Sequence, residues 1–226
     1  GGAGFIGSNI IRGFNIRGER NILVVDDLTD GSKHRNLNKL DFLDYIDFRD
    51  FIKNIEAYPI KFISHQGACS STTETDGRFM MEANYDYSKF LMHYCVDKKV
   101  PFIYASSASV YGHGRQGFAE KPENEYPLNV YAFSKYQFDR YVRMYTASTQ
   151  IKSQIVGLRY FNVYGPQENH KGQMASVAYH FFKQVTSSEP MKHFEGIDNF
   201  MRAFLHVSDT VKGHMFFAYL PNLSGT

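Results

Sequence analysis

Gly1-Gly2-Ala3-Gly4-Phe5-Ile6-Gly7-Ser8 opens the sequence, and the reading of this stretch decides the fold. Gly1, Gly4 and Gly7 follow the spacing G-x-x-G-x-x-G. Glycines there allow a tight turn, let backbone N–H groups approach a pyrophosphate and let the following helix pack closely. A glycine turn before a helix can also serve packing alone, so the context carries the reading. Ser8 to Arg17 has apolar residues at Ile10, Ile11 and Phe14, a helix face that Gly18 ends. Asn21 to Asp26 then reads as a strand. Its run Ile22-Leu23-Val24-Val25 lacks alternation, as a parallel strand buried on both faces does. Asp26 closes that strand, where a carboxylate can accept hydrogen bonds from an adenosine ribose; a solvated turn is the plain alternative for Asp26 and Asp27. Lys33, in the next loop, would pair with a ribose 2′-phosphate and favour NADP over NAD, an extra charge that the two adjacent carboxylates oppose.

Further along, apolar runs recur at Pro59 to Ser64, Val100 to Ala105 and Gln154 to Leu158. Helical patterns occupy Asp76 to Lys98, Val130 to Thr146 and Met174 to Thr186. This alternation predicts an α/β fold, a doubly wound parallel Rossmann sheet with right-handed crossovers and ligands at the carboxyl ends of its strands. A glycine turn of this kind expects a strand in front of it, and that first strand is missing from the chain. Residues 1–160 read as the dinucleotide-binding domain. Residues 161–226, poorer in strand signal, read as the start of a smaller, incomplete α/β substrate lobe.

Composition narrows the partners. The net charge of +2 is spread along the 226 residues, with no polybasic stripe for nucleic acid. No apolar run approaches the roughly 18 residues that cross a membrane as a helix. Cys69 and Cys95 are too few for a disulfide scaffold, which fits a cytoplasmic setting, and no metal-ligand spacing stands out.

Tyr131 and Lys135 form Tyr-x-x-x-Lys, one turn apart on one helix face. An ammonium beside a phenol stabilises the phenolate and would make the tyrosine a usable acid or base. With 16 tyrosines in 226 residues and a similar number of lysines, about one such match is expected by chance. Tyr85/Lys89, Tyr94/Lys98 and Tyr179/Lys183 share the spacing and read as ordinary helical pairs. Position distinguishes Tyr131/Lys135: the pair follows a buried strand ending in Ser106, Ser107 and Ser109, where Ser107 would orient a substrate hydroxyl.

The glycine loop, the serine-rich strand end, Tyr131-x-x-x-Lys135 and the run Arg159-Tyr160-Phe161-Asn162-Val163-Tyr164-Gly165-Pro166 together resemble the extended short-chain dehydrogenase/reductases that act on nucleotide sugars. Gly67 to Glu74 and His170 to Ala178 look like the ADP-glyceromannoheptose 6-epimerases within that group. The resemblance implies oxidation and re-reduction at C6 of an ADP-heptose on bound NADP, with NAD as the other option, in a homo-oligomer such as a pentamer. It assigns acid/base roles to Tyr131 and Lys171, a supporting role to Lys135 and hydroxyl orientation to Ser107. Cofactor contacts carry over to Phe5, Ile6, Asp26, Asp27, Lys33, Gln66, Gly67, Ala68, Cys69, Ser70, Asn84, Lys135, Val163 and Lys171. Substrate contacts carry over to Ser107, Asn162, Gln173, His180, Phe194, Glu195, Gly196, Ile197 and Arg202, the last with a guanidinium fork suited to a diphosphate.

Four positions depart from the family pattern. Phe48 stands where a cofactor-contacting Lys is expected, Gln66 where a Glu is, and Asp27 where Asn is usual, while Ala203 interrupts an Arg-Asp-Phe run. A hexose C4 epimerase or a 4,6-dehydratase of the same superfamily is the nearest rival. The dehydratases place Asp-Glu where Ala108-Ser109 stand, and a C4 epimerase has no need of Lys171. A non-catalytic dinucleotide-sensing module is the rival from another class, and it has no use for Ser107, Tyr131 and Lys135 together.

Overall fold

The computed structural model describes residues 1–192, 202–220 and 225. Helix α1 (Phe5–Ile16) follows the glycine loop directly, and strand β1 (Leu23–Asp26) pairs in parallel with β2 (Asp44–Asp47). After α2 (Phe48–Asn54) comes β3 (Ile63–His65). A long helical stretch follows, made of α3 (Gly77–Met81), a π-helical turn over Glu82–Asp86 and α4 (Tyr87–Lys98). Strand β4 (Phe102–Ser107), helix α5 (Val130–Ser148) and β5 (Ile155–Tyr160) complete the parallel ladder β3-β4-β5. Then come β6 (Asn162–Tyr164), α6 (Val177–Thr186), β7 (Phe204–His206), which pairs in parallel with β6, and α7 (Val207–Tyr219).

Every pairing is parallel, and helices lie on both sides. The cluster of Phe102, Tyr104 and Ile155 packs under Leu91, Met92 and Cys95 of α4 and Phe138 and Val142 of α5. Helix α7 packs along α1 and reaches β4 and β5. This is the doubly wound α/β arrangement. Opposite Tyr104 in the β4–β5 register stands Gly157. A Cβ on Gly157 would run into the Tyr104 hydroxyl, so the glycine leaves the space that the phenol fills.

Among the described residues β1–β2 and β3–β4–β5 share no ladder. Between their carboxyl ends lies the glycine loop: the Gly1 nitrogen donates to Val25 O at 2.6 Å, and a Cβ on Gly1 would run into the backbone of Gly67 just beyond β3.

Several expectations shift. Helix α1 starts at Phe5 rather than Ser8, and α6 starts at Val177 rather than Met174, because the Ser176 hydroxyl caps it by accepting from Tyr179 N. Strand β3 begins only at Ile63, and β4 runs on to Ser107. Elements β2, α2, β6, β7 and α7 were not anticipated. No helix among the described residues is long and apolar enough to cross a membrane.

Candidate active site

The glycine loop lies against the carboxyl end of β1 and the segment just beyond β3. Helix α1 has Gly4 as its N-cap, and among the described residues no side chain caps its first N–H groups. A Cβ on Gly4 would meet only Gly1 O, at 3.4 Å, whereas one on Gly7 would run into that same carbonyl. Gly7 closes the loop, and Gly4 leaves its outer side open. An uncapped helix start beside an open glycine suits a pyrophosphate, so the residues present fit a dinucleotide.

Asp26 lies at the edge of the loop and is buried. Its Oδ2 accepts from Ala3 N at 2.7 Å; its Oδ1 accepts from Asp27 N and from Lys33 Nζ, each at 2.7 Å. Burial alone would raise its pKa, while the Lys33 ammonium and the Asp27 backbone N–H draw the carboxyl towards its charged form. Asp27 accepts from Thr29 and pairs with Arg49 at 3.0 Å. Phe48, at the position expected to hold a Lys, packs edge-on against Tyr87 and carries the Arg49 guanidinium on its ring.

The segment 66–70 is held from behind. Asn84, inside the π-turn and 1% exposed, accepts from Cys69 N at 2.8 Å and donates to Cys69 O and to Ser134 Oγ, each at 3.0 Å. Ser134 Oγ in turn donates to Tyr131 O at 2.7 Å. Asn84 therefore ties the segment after β3 to the start of α5. Gln66 and Tyr160 meet at the strand ends; burial pushes the Tyr160 phenol up, and the Gln66 side chain pulls it partly back.

Asn129 caps α5 by accepting from Ala132 N, which sets Tyr131 in the first turn beside β4. The Ser107 side chain lies beside the Tyr131 phenol; its Oγ accepts from Ser109 N at 3.1 Å and Ser109 Oγ at 2.8 Å. Burial pushes the Tyr131 phenol up, and the Ser107 hydroxyl pulls it partly back. The expected lowering by Lys135 is not what this geometry produces, because the ammonium points at Ala105 O, 2.9 Å away. Burial pulls Lys135 down to about 8, against the attraction of Asp139 one turn further along α5. Asp139, fully buried, accepts from Ser106 Oγ, Tyr104 OH and Arg159 Nε. Sequence reasoning passed over Asp139; its one-turn offset from Lys135 was the available signal.

The segment 165–176 folds back on the glycine loop. Ser8 Oγ donates to Gln167 Oε1 at 2.8 Å, Asn9 Nδ2 to Pro166 O at 3.1 Å, and Asn36 bridges Ala3 O and His170. Glu168, buried, gathers Gly165 N, Ser176 N and Ser176 Oγ. Lys171 lies over the Phe5 ring, 5.3 Å from its centre, and burial lowers its pKa against the pull of Glu168. Val163 packs on Phe5 and Val207. Asn162 donates to Ala203 O, so it faces the β6–β7 pair; Arg202 stands exposed beside it. Gln173 sits in a short 3-10 turn, and His180 on α6. Phe194, Glu195, Gly196 and Ile197 lie outside the described residues.

Comparison with known proteins places this geometry. The chain is 57% identical, over its whole length and 72% of the relative's, to an ADP-L-glycero-D-manno-heptose-6-epimerase of Brachyspira hyodysenteriae. The crystal structure of the Helicobacter pylori ADP-L-glycero-D-manno-heptose-6-epimerase superposes with a TM-score of 0.82 at 31% identity, covering 95% of this chain and 70% of that one. The Thermus thermophilus UDP-glucose 4-epimerase, solved as a complex with NAD, gives 0.78 at 28% identity, covering 100% of this chain and 74% of that one. The family model of the NAD dependent epimerase/dehydratases matches residues 1–223, and the chain belongs to that family.

Proposed function

We propose that this chain is the larger part of an ADP-L-glycero-D-manno-heptose 6-epimerase, an isomerase that inverts C6 of the heptose with NADP as its bound dinucleotide. The observation that carries the substrate is the 57% identity across the entire chain with the Brachyspira enzyme. The reaction class rests on Ser107, Tyr131 and Lys135 converging at the end of β4. NADP, held by the glycine loop, would supply the acceptor and donor of the hydride at C6. Gly4 and the open start of α1 receive its pyrophosphate, and Asp26 marks the ribose end. Ser107 holds the C6 hydroxyl towards Tyr131, whose oxygen, in its phenolate form, would take the hydroxyl proton as the C6 hydride leaves to the dinucleotide and C6 becomes a ketone. Lys135, bonded to Ala105 O, would hold a ribose hydroxyl of the dinucleotide and keep positive charge near the phenol. When the ketone presents its other face, Lys171 delivers the proton that restores the alcohol with inverted configuration.

Asn162, Gln173, His180, Phe194 to Ile197 and Arg202 bind the nucleotide sugar, in a substrate lobe that starts at residue 161. The enzyme works in the cytoplasm as a homo-oligomer. The positive charge gathered where β1 ends favours NADP, and Asp27 favours NAD. The test is proton NMR of ADP-D-glycero-D-manno-heptose with the full-length enzyme and catalytic NADP. Appearance of the L-glycero epimer without net cofactor reduction supports the reading. No change, with UDP-glucose or UDP-galactose interconverted instead, moves the substrate to a C4-epimerised hexose and leaves the role of Tyr131 in place.

A further inference from the structure

Two carboxylate–cation pairs stand side by side where β1 ends, and they differ in burial. The Asp26–Lys33 pair is closed: the side chains are 7% and 18% exposed, and the same carboxylate also holds Ala3 N of the glycine loop. Withdrawing Lys33 would leave a buried charge without its partner, which is strongly unfavourable. The Asp27–Arg49 pair is open, with side chains 38% and 55% exposed. An exposed pair of this kind contributes little, so Arg49 can leave it at small cost. Asp27 then still has Thr29 to hold it. Arg49 is also steadied from below: its Nε lies 3.2 Å from Asp47 Oδ1 and its guanidinium 5.0 Å from the centre of the Phe48 ring. The planar fork beyond that anchor suits bidentate contact with a phosphate, and a dianion competes well against the single charge of Asp27.

We propose that Arg49, rather than Lys33, is the cation that reads the 2′-phosphate of the adenosine ribose, and that Asp27 parks it there until the phosphate arrives. Lys33 serves the site indirectly, by neutralising Asp26 under the loop. The proposal rests on the NADP reading given above and adds the residue that carries it. Asp27 then acts against the phosphate in two ways, by occupying Arg49 and by repelling a second anion.

The experiment is fluorescence titration of the cofactor-stripped full-length protein with NADPH and with NADH, for the wild type, Arg49→Gln, Lys33→Gln and Asp27→Asn. Arg49→Gln is expected to weaken NADPH by at least about tenfold and to leave NADH unchanged, a selectivity that lost packing alone would not produce. Arg49→Lys keeps charge without the fork and should recover only part of the loss. Lys33→Gln should weaken both dinucleotides alike, and Asp27→Asn should tighten NADPH. An Arg49→Gln protein whose ratio of NADPH to NADH affinity matches the wild type overturns the proposal, as does a Lys33→Gln protein that loses NADPH alone. A wild type that binds NADH more tightly overturns the NADP reading instead; the role of Arg49 is still judged by whether its removal lowers the ratio.

Discussion

At the scale of single residues, the site separates the group that moves a proton from the groups that prepare it. Tyr131→Phe removes the phenolic oxygen and little volume, so turnover should fall by about a thousandfold or more while NADPH still binds; steady-state rates and a binding titration on one preparation check both. Lys135 illustrates the cost of a charged group in a dry place. Its folded pKa of about 8 lies below the ordinary lysine value of 10.5, so the unfolded chain binds the extra proton between those values. For this group, stability therefore rises with pH from about 8 to 10.5, and the full penalty of about 3 kcal/mol applies below 8. Lys135→Met should raise the urea midpoint at pH 7 by the equivalent of about 2 kcal/mol, once about 1 is subtracted for the lost bond to Ala105 O. The gain should shrink towards pH 10, and activity should be lost. An unchanged midpoint at pH 7 would show that the lysine is better solvated than its surroundings imply. The Tyr-x-x-x-Lys spacing and the serine-ended strand were legible because they are local. The direction of the ammonium, towards Ala105 O, was not, since it depends on how far α5 stands from β4.

At the scale of elements, buried strands announced themselves and edge elements did not. Strands β1, β4 and β5 carry continuous apolar runs because helices cover both faces. Strand β2, Asp-Tyr-Ile-Asp, has acidic ends and no fully buried residue, and β6 and β7 have three residues each, too short for any periodicity to register. The π-turn was equally hidden, because an extra residue in a helical turn leaves no compositional trace. Yet it places Asn84 where its one amide reaches Cys69, Met80 and Ser134. Asn84→Ala should cost about 1–3 kcal/mol, since Cys69 N and Ser134 lose a buried partner. It should also weaken dinucleotide binding through the loosened 66–70 segment. Chemical denaturation and a cofactor titration read the two effects separately; normal binding in a destabilised protein would confine Asn84 to the fold.

At the scale of the whole molecule, a chain of buried charges joins the loop before α5 to the sheet. Glu125 takes both nitrogens of Arg143, at 2.9 and 2.7 Å, and also pairs with Arg159, which reaches Asp139 at 3.1 Å. The side chain of Glu125 is 1% exposed and that of Arg159 6%. Glu125→Gln leaves the Arg159 charge short of a partner and should lower stability by about 3 kcal/mol, a drop in Tm of roughly 6–12 °C for a protein of this size. Scanning calorimetry checks it, and a shift under 2 °C would mean that water reaches the pair. The network was not visible in the sequence, because Glu125 from the loop, Arg159 from β5 and the Asp139 and Arg143 pair from α5 meet only when the fold is complete. Gly157 belongs to the same assembly. The hollow it leaves admits the Tyr104 phenol, and the Tyr104 hydroxyl holds Asp139, the residue one turn from Lys135. A hydrogen atom in place of a methyl group on one strand thus works as a shim: it gauges the height at which a helix in the next layer rides, and with it the reach of a lysine that never touches the glycine.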